Sequence, residues 1–398
     1  MTLMDRLRSM FGFTLKDHDN WYEAGWATKT ASGISVTANN AIRVSAVMAC
    51  VKVISESVGQ LPVNVYRRLP EGGKEKAVDH PLYSVLHDLP NDFMTSGEMF
   101  ETACVNLGLG GMAYHWIERD GMGRIRSVEP IEPWQVQIWR NENSGRVFYK
   151  VDGDSTPVPA EKIWRIRGWG SDKYVGLPPV DVSREAIALA IAGEQRAASM
   201  HKNAALPSGV VKTASGMGPE ALKLLKKHFA ETYSGSSEHG NTLWLDAGME
   251  FQPLSHDADK SQFMESRRFQ LQEIARVFRV PLHMIGDLER ATFSNIEQQS
   301  IEFVVYTLGP WLRRIEQSIT RDLILPSERG QYFCKFNVNS LLRGDIAARF
   351  DSYNKAILSG WLNRNEVREL EDFNKVPGLD EYVLQPGVTS GDAANDAA

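Results

Sequence analysis

The pattern that most restricts the fold of this chain lies between residues 259 and 325. Phe263, Leu271, Ile274 and Phe278 form the apolar stripe of a helix over 259–279, and Val280-Pro281 stops it. Arg267 sits on the same stripe between Phe263 and Leu271, so that half of the helix is expected to be only partly buried. A short loop, Leu282-His283-Met284-Ile285-Gly286, leads to Thr292-Phe293-Ser294-Asn295-Ile296-Glu297-Gln298. Ser294 and Glu297 read as a capping box that opens a longer helix over 294–325. Pro310 lies in its middle, removes one backbone hydrogen bond and collides with the preceding turn, which predicts a kink. The stretch holds no nucleophile, metal cluster or phosphate cradle, so its specificity is architectural.

A second helix, 182–203 with Asp181 as its cap, adds a constraint. Ile187 and Ile191 lie on one face; Ala186, Leu189, Ala190 and Ala197 lie on another, with Gly193 in the same helix. A helix that is apolar or small on two faces is packed on two sides, inside a core or between copies of the chain. A bulky residue at Gly193 should disturb that packing. Between the two helices, residues 206–256 read as a compact α/β insert: a strand at 209–211, a helix at 219–232 with Pro219 in its first turn, a Gly/Ser loop at 234–241, and strands at 243–245 and 249–251.

Upstream, residues 14–40 are turn-rich and read as an extended arm. Val44, Val47, Met48, Val51, Ile54 and Val58 predict a helix over 41–59, and a strand at 61–66 turns at Glu71-Gly72-Gly73. His80-Pro81 opens a short helix that closes at Leu89-Pro90-Asn91, and Thr95 with Glu98 caps a helix over 96–108. Five strand-like segments between 113 and 167, separated by turns such as Asp120-Gly121 and Asp152-Gly153, predict one antiparallel meander with helices on one side. The fold class is therefore α+β. Gly176-Leu177-Pro178-Pro179 breaks the chain. Downstream come a strand at 331–338, a helix capped by Asp345 that ends near Gly360, a helix capped by Asn363 with Glu366, and, from about 387, a Gly/Ala/Asp/Ser-rich tail expected to be disordered.

The remaining chemistry is mostly exclusion. A net charge of −6 argues against a dedicated nucleic-acid binder. Cys50, Cys104 and Cys334 are far apart and read as reduced, buried thiols. The first residues do not read as a secretory signal, and no run reaches the length of an apolar membrane span. Gly108-Leu109-Gly110-Gly111-Met112-Ala113 fits a loose dinucleotide pattern in reversed context, helix before and strand after, and so reads as a tight turn. The chain has no Walker loop, HExxH or GxSxG; His80 reads as a structural loop residue, and Asp257 and Asp259 read as helix caps rather than metal ligands. No cofactor, metal or catalytic residue is assigned. Over 259–300, Lys260, Arg267, Arg268, Arg276, Arg279 and Arg290 balance Asp259, Glu265, Glu273, Asp287, Glu289 and Glu297. That balance suits a solvated face, or a wall that DNA passes without sticking, because each phosphate–cation contact would add affinity.

Taken in order, these segments resemble the HK97-type phage portal proteins over about 41–380. The segments that carry the resemblance are Ser45-Ala46-Val47-Met48-Ala49-Cys50-Val51 with Leu61-Pro62, His80-Pro81-Leu82-Tyr83, Pro90-Asn91, and Gly111-Met112-Ala113-Tyr114. Further on come Asn203-Ala204-Ala205-Leu206-Pro207-Ser208-Gly209-Val210, Val280-Pro281 with Ile285-Gly286, Thr292 to Gln298, Thr307-Leu308-Gly309-Pro310, and Asn365-Glu366-Val367-Arg368. Met112, Leu282 and the Gly176-Leu177-Pro178-Pro179 turn depart from the family's usual residues.

The resemblance implies a ring, typically of twelve copies, at one vertex of a capsid assembled in the host bacterial cytoplasm. It implies a channel for double-stranded DNA, without sequence specificity, during packaging and ejection. Its implied partners are further copies of itself, the major capsid protein and scaffold, the terminase large subunit and a head–tail connector, with no membrane. It divides the chain into an arm (1–40), a wing (41–180 and 327–343), stem helices (181–205 and 258–280), a clip (206–257), a tunnel-loop region (281–293), a long kinked helix (294–326), a crown (344–380) and a tail (381–398). It places Asp287, Glu289, Arg290 and Thr292 in the channel loop, Gly193, Arg267, Arg268 and Arg276 in the stem, and Lys223, Lys226, Lys227 and Glu238 on the clip that faces the terminase. Two other readings stay open: a nuclease drawing acids from the Asp257/Asp259 region, and a capsid structural or scaffold-binding protein without a DNA channel.

Overall fold

Apolar stripes at helical spacing and alternating strands give this chain two compact units, divided between Phe336 and Asn337. The computed structural model describes residues 13–14, 30–141, 144–153, 156–203, 209–213, 218–220, 223–224, 227, 249–253, 257–288, 293–338, 341, 346–371 and 373–383.

The first unit begins with strand β1 (Phe13–Thr14) and helices α1 (Ala38–Ala41) and α2 (Ser45–Gly59). The expected single helix over 41–59 is thus split. Thr37 and Asn40 close a capping box on α1, and Val44 takes extended backbone before α2 starts. The predicted stripe of α2 is buried at Val47, Val51, Ile54 and Val58, whereas Met48 is exposed. Strands β2 (Val63–Arg68) and β3 (Lys74–Lys76) follow. Helix α3 (Pro81–His87) is capped by His80, whose Nδ1 accepts from the Leu82 amide at 3.1 Å. Helix α4 (Ser96–Gly110) carries the expected Thr95/Glu98 capping box, packs on α2 and stops at Gly111, where φ is 68°.

The next strands are β4 (Met112–Arg119), β5 (Ile125–Ile131), β6 (Val136–Asn141), β7 (Val147–Val151), β8 (Val158–Pro159) and β9 (Ile163–Arg167). They do not make the one meander that alternation suggests. The structure has two antiparallel sheets here, β5-β4-β9 and β1-β6-β7-β8. Two single-turn 3₁₀ segments lie at the crossovers: Pro133–Gln135 takes the chain out of the first sheet, and Ala160–Lys162 returns it. Met112 and Tyr114 of one sheet share a core with Val136, Tyr149 and Val158 of the other. Behind β9, Trp164 is buried; its Nε1 donates to Ser318 Oγ at 2.9 Å and its ring stacks on His115.

After the Gly176–Pro179 turn come α5 (Pro179–Val182) and α6 (Arg184–Asn203). Asp181 does not cap the long helix. Pro179 nucleates a separate turn, Ser183 Oγ donates to the Pro179 carbonyl at 2.9 Å, and Asp181 pairs with Arg184 at 3.4 Å. Strands β10 (Gly209–Thr213) and β11 (Met249–Pro253) form an antiparallel ladder. Residues 219–220, 223–224 and 227 are helical, as expected, while the predicted strand at 243–245 lies outside the described residues. Helix α7 (Asp257–Phe278) then runs to a 3₁₀ turn, Leu282–Ile285.

The long helix is in three parts: α8 (Phe293–Glu302), a π-helical stretch Phe303–Leu308, and α9 (Gly309–Asp322). The irregularity expected from Pro310 is therefore a run of wide turns just before it, in which the Gly309 amide donates five residues back to Val304. A widened turn opens the ladder where the proline ring would meet the preceding carbonyls. The side chains of Ser294 and Glu297, the expected capping box, lie outside the described residues. Leu312, Ile315 and Ile319 of α9 are buried, and α9 packs on β9 and on β12 (Tyr332–Phe336), which pairs with β2. All three cysteines are free and buried, and burial raises their thiols, Cys50 and Cys334 to about 12. Among the described residues, no helix is long and apolar enough to cross a membrane.

The second unit contains α10 (Ile346–Leu358) and α11 (Arg364–Leu370). Asn363 and Glu366 form the predicted capping box. Glu371 joins the helices by accepting from Arg349 and from the Tyr353 hydroxyl, each at 2.9 Å. Asp345 and the tail from 384 lie outside the described residues.

Candidate functional site

Helices α6 and α7 pack against each other, and their contact explains part of the two-faced pattern. Ile187, Ala188, Ile274 and Ala275 are buried in this chain. Leu189 on α6 and Met264 and Phe269 on α7 are exposed. Gly193 is half-buried. One face of the pair is thus satisfied internally, and the other is open in a single chain.

The cations predicted for the stem do not act alike. Arg267 reaches across to Glu194 on α6 at 3.9 Å, a mostly exposed contact of small energetic weight. Arg268, one residue later and so turned about 100° around the helix, faces the loop after Pro281 and donates to both carboxylate oxygens of Asp287, at 3.1 and 3.4 Å. Arg276 pairs with Glu273 one turn back. Two predicted groups, stem and channel loop, therefore meet at Arg268–Asp287.

That loop is braced at its other end. Gly286 takes φ of 90°, which lets the chain leave the 3₁₀ turn, and the Asp287 amide donates to the Leu282 carbonyl at 3.0 Å. His283 Nδ1 lies 2.8 Å from Gln299 Oε1 on α8. Arg268, His283, Asp287, Gln299 and Glu302 border an open groove of about 710 Å³ between α7 and α8. Glu289, Arg290 and Thr292 lie outside the described residues. On the insert, Lys223 and Lys227 are exposed on a helical stretch, and Lys226 and Glu238 lie outside the described residues.

Sequence reasoning counted Arg279 only in a charge balance and did not name Arg314. They border a second cavity, of about 340 Å³, with Trp169, Tyr306 and Trp311. Burial, then the charges of Arg167 and Arg279, push the Arg314 guanidinium below its ordinary range. The one available signal was the residue before Val280-Pro281: a helix end favours glycine there, and this chain has arginine.

The fold and this frame can be set beside known proteins. The sequence profile described as "Phage portal protein" matches residues 45–372. The chain is 29% identical over 356 residues to the portal protein of Enterobacteria phage HK97, covering 88% of this chain and 84% of that one. Its fold is similar to that of a subunit in the virion of a native gene transfer agent particle, with a TM-score of 0.61 at 20% identity, covering 89% of this chain and 98% of the other. It is likewise similar to a chain in the neck of such a particle with C12 symmetry, with a TM-score of 0.58 at 21% identity, covering 84% of this chain and 93% of the other. A profile that spans most of the chain, with a relative matched nearly end to end, identifies it: this chain belongs to the phage portal protein family.

Proposed function

We propose that this chain assembles into a closed ring, of twelve copies, at one vertex of a phage head, where it forms the channel for DNA entering and leaving. The observation that carries the reading is the family match over 45–372. The C12 neck of the gene transfer agent supports the ring order. In this reading the units are the wing (41–180 and 327–343), the stem (α6 and α7), the clip (206–257), the channel loop after Pro281, the long helix interrupted by π turns, and the crown (344–380). The open face of α6 and α7, with Leu189 and Phe269, meets the neighbouring copy, and the contact is head-to-tail, as a ring requires. The terminase large subunit and then a head–tail connector dock on the clip, where Lys223, Lys226, Lys227 and Glu238 are the first residues to test; the major capsid protein and scaffold surround the wing.

Charge supports a channel that does not grip. Arg267, Arg268 and Arg276 are each paired with a carboxylate, which reduces the positive charge these three offer DNA. Twelve copies at −6 each carry roughly −72. Moving DNA then meets a wall without strong phosphate contacts. Asp287 is tied to Arg268, which leaves Arg290, with Glu289 and Thr292, to contact DNA from the loop.

Mass photometry or negative-stain microscopy of the purified chain tests the ring; a chain that stays monomeric at high concentration overturns it. Arg290→Glu tests the loop. Rings should form while DNA packaging or retention falls, and normal packaging in that variant would remove the role.

A further inference from the structure

Two described arginines of the first unit meet at a cavity without a carboxylate partner. The 340 Å³ cavity between the end of α7, the π-helical stretch with the start of α9, and the loop over 168–179 is bordered by Arg276, Arg279 and Arg314, and by no acidic residue. Arg276 is held by Glu273. The guanidinium groups of Arg279 and Arg314 bond to no described residue. Arg314 is also only half exposed, and the charges that act on it are those of other arginines, Arg167 and Arg279. A cationic pocket of this kind favours an anionic occupant.

Arg279 carries an independent mark. It is the one non-glycine residue with positive φ, 57°, among the described residues. It ends α7 in the left-handed conformation: the Val280 amide donates to the Ala275 carbonyl at 3.0 Å, and the Arg279 amide to Arg276 at 3.2 Å. Glycine takes this position without steric cost, and a long side chain does not. The turn is held by Thr307 Oγ, which donates to the Arg279 carbonyl at 2.6 Å. Strain at such a position marks a side chain with a use outside the helix.

The rim of the cavity indicates what kind of surface covers it. Trp169, Tyr306 and Val182 are exposed there, at 68%, 65% and 55%. Arginine among exposed Trp and Tyr is the composition of a protein–protein contact, and a phosphate backbone would leave this apolar area uncovered. Contact of the face with itself would set guanidinium against guanidinium. A head-to-tail contact sets it against a different face of the same chain, which carries 50 acidic residues against 44 basic ones.

We infer that this cavity is a socket between copies: it receives a carboxylate side chain of a second copy of this chain, held by Arg279 and Arg314, while Trp169 and Tyr306 pack around it. The inference rests on the ring reading and names the side chains that close the ring.

Two full-length variants test it. Arg279→Gly relieves the left-handed strain, so the unassembled chain should melt at or above the parent's temperature. Its ring assembly, followed by mass photometry across concentration, should need at least ten times more protein. Arg314→Gln, which leaves the α7 turn untouched, should shift assembly in the same direction. Rings that form from both variants at the parent's concentration overturn the socket and leave the ring reading standing. Variant rings that form normally but hold duplex DNA less well assign the cavity to phosphate and overturn the carboxylate. A parent that forms no ring at any concentration overturns both.

Discussion

Gly176→Ala is the substitution whose cost can be worked most directly. Gly176 does not have left-handed backbone, so an added Cβ brings no conformational penalty of its own. It brings a collision. The new atom would lie 2.2 Å from the Gly111 carbonyl oxygen, 2.7 Å from the Gly168 nitrogen and 2.9 Å from the Gly168 Cα. All three are backbone atoms, and the first is more than 1 Å inside the 3.4 Å at which ordinary contact begins. They cannot rotate away as a side chain would. Relief requires the end of β9 to part from the turn after α4, which breaks the 2.9 Å bond from the Gly168 amide to the Gly111 carbonyl. Loss of that bond, about 1 kcal/mol, added to about 2–3 kcal/mol for an overpacked backbone, gives about 3–4 kcal/mol. For a unit of this size each kcal/mol lowers the melting temperature by about 2–4 °C, so a drop of about 6–16 °C is expected. Calorimetry of the unassembled chain at one protein concentration measures it, with Gly33→Ala as the control. Gly33 has φ of 77° and no atom within 4 Å of its added Cβ, so only the left-handed penalty of about 1 kcal/mol applies. A Gly176→Ala chain that melts no lower than Gly33→Ala would refute the close-packed junction.

Three further outcomes are expected. Asn365→Ala should loosen the second unit by about 1–2 kcal/mol, because the buried Asn365 side chain bonds to both the amide and the carbonyl of Val376 at 2.9 Å; faster hydrogen exchange over 363–379 would register it. Burial pushes the His115 imidazole down to about 3, so the folded chain holds it neutral while the unfolded chain takes up a proton near 6.5. Its contribution is therefore complete above pH 6.5 and is lost as pH falls from 6.5 towards 3, and His115→Leu should flatten the dependence of stability on pH in that window, read by denaturant unfolding at pH 7 and pH 4. Arg268→Ala should leave global stability within about 1 kcal/mol, because the pair is partly exposed, yet raise hydrogen exchange at 286–288, where Asp287 loses its anchor.

Local signals in the sequence were strong where chemistry and geometry sit in adjacent residues. The capping boxes at Thr95/Glu98 and Asn363/Glu366, the His80-Pro81 start and the Gly111 turn each need only a few neighbours, and each is present. Errors arose where partners are remote. Alternation alone cannot say which strands pair, so the segments between 113 and 167 looked like one sheet; Pro133 and the turn before Ile163 divide them. Asp181 looked like a cap, but Pro179 two residues earlier had already started a turn. Pro310 promised a kink, and the chain meets the same steric demand by widening the turns before it.

The arginines show the same limit at the candidate site. A count over 259–300 gives six cations and six anions and suggests a neutral surface. The fold makes that neutrality uneven. Arg268 finds Asp287 only because the chain reverses after Pro281, and Arg276 finds Glu273 because they share a helix face. Arg279 finds neither, because its left-handed backbone turns it off the face that Arg276 and Glu273 share. The sequence marks the helix end at Val280-Pro281 but not what braces it: the Thr307 hydroxyl bonded to the Arg279 carbonyl comes from 28 residues away. Charge balance in a sequence is thus a statement about the whole surface, and a single residue out of helical geometry is enough to part a cation from the carboxylates of its own helix.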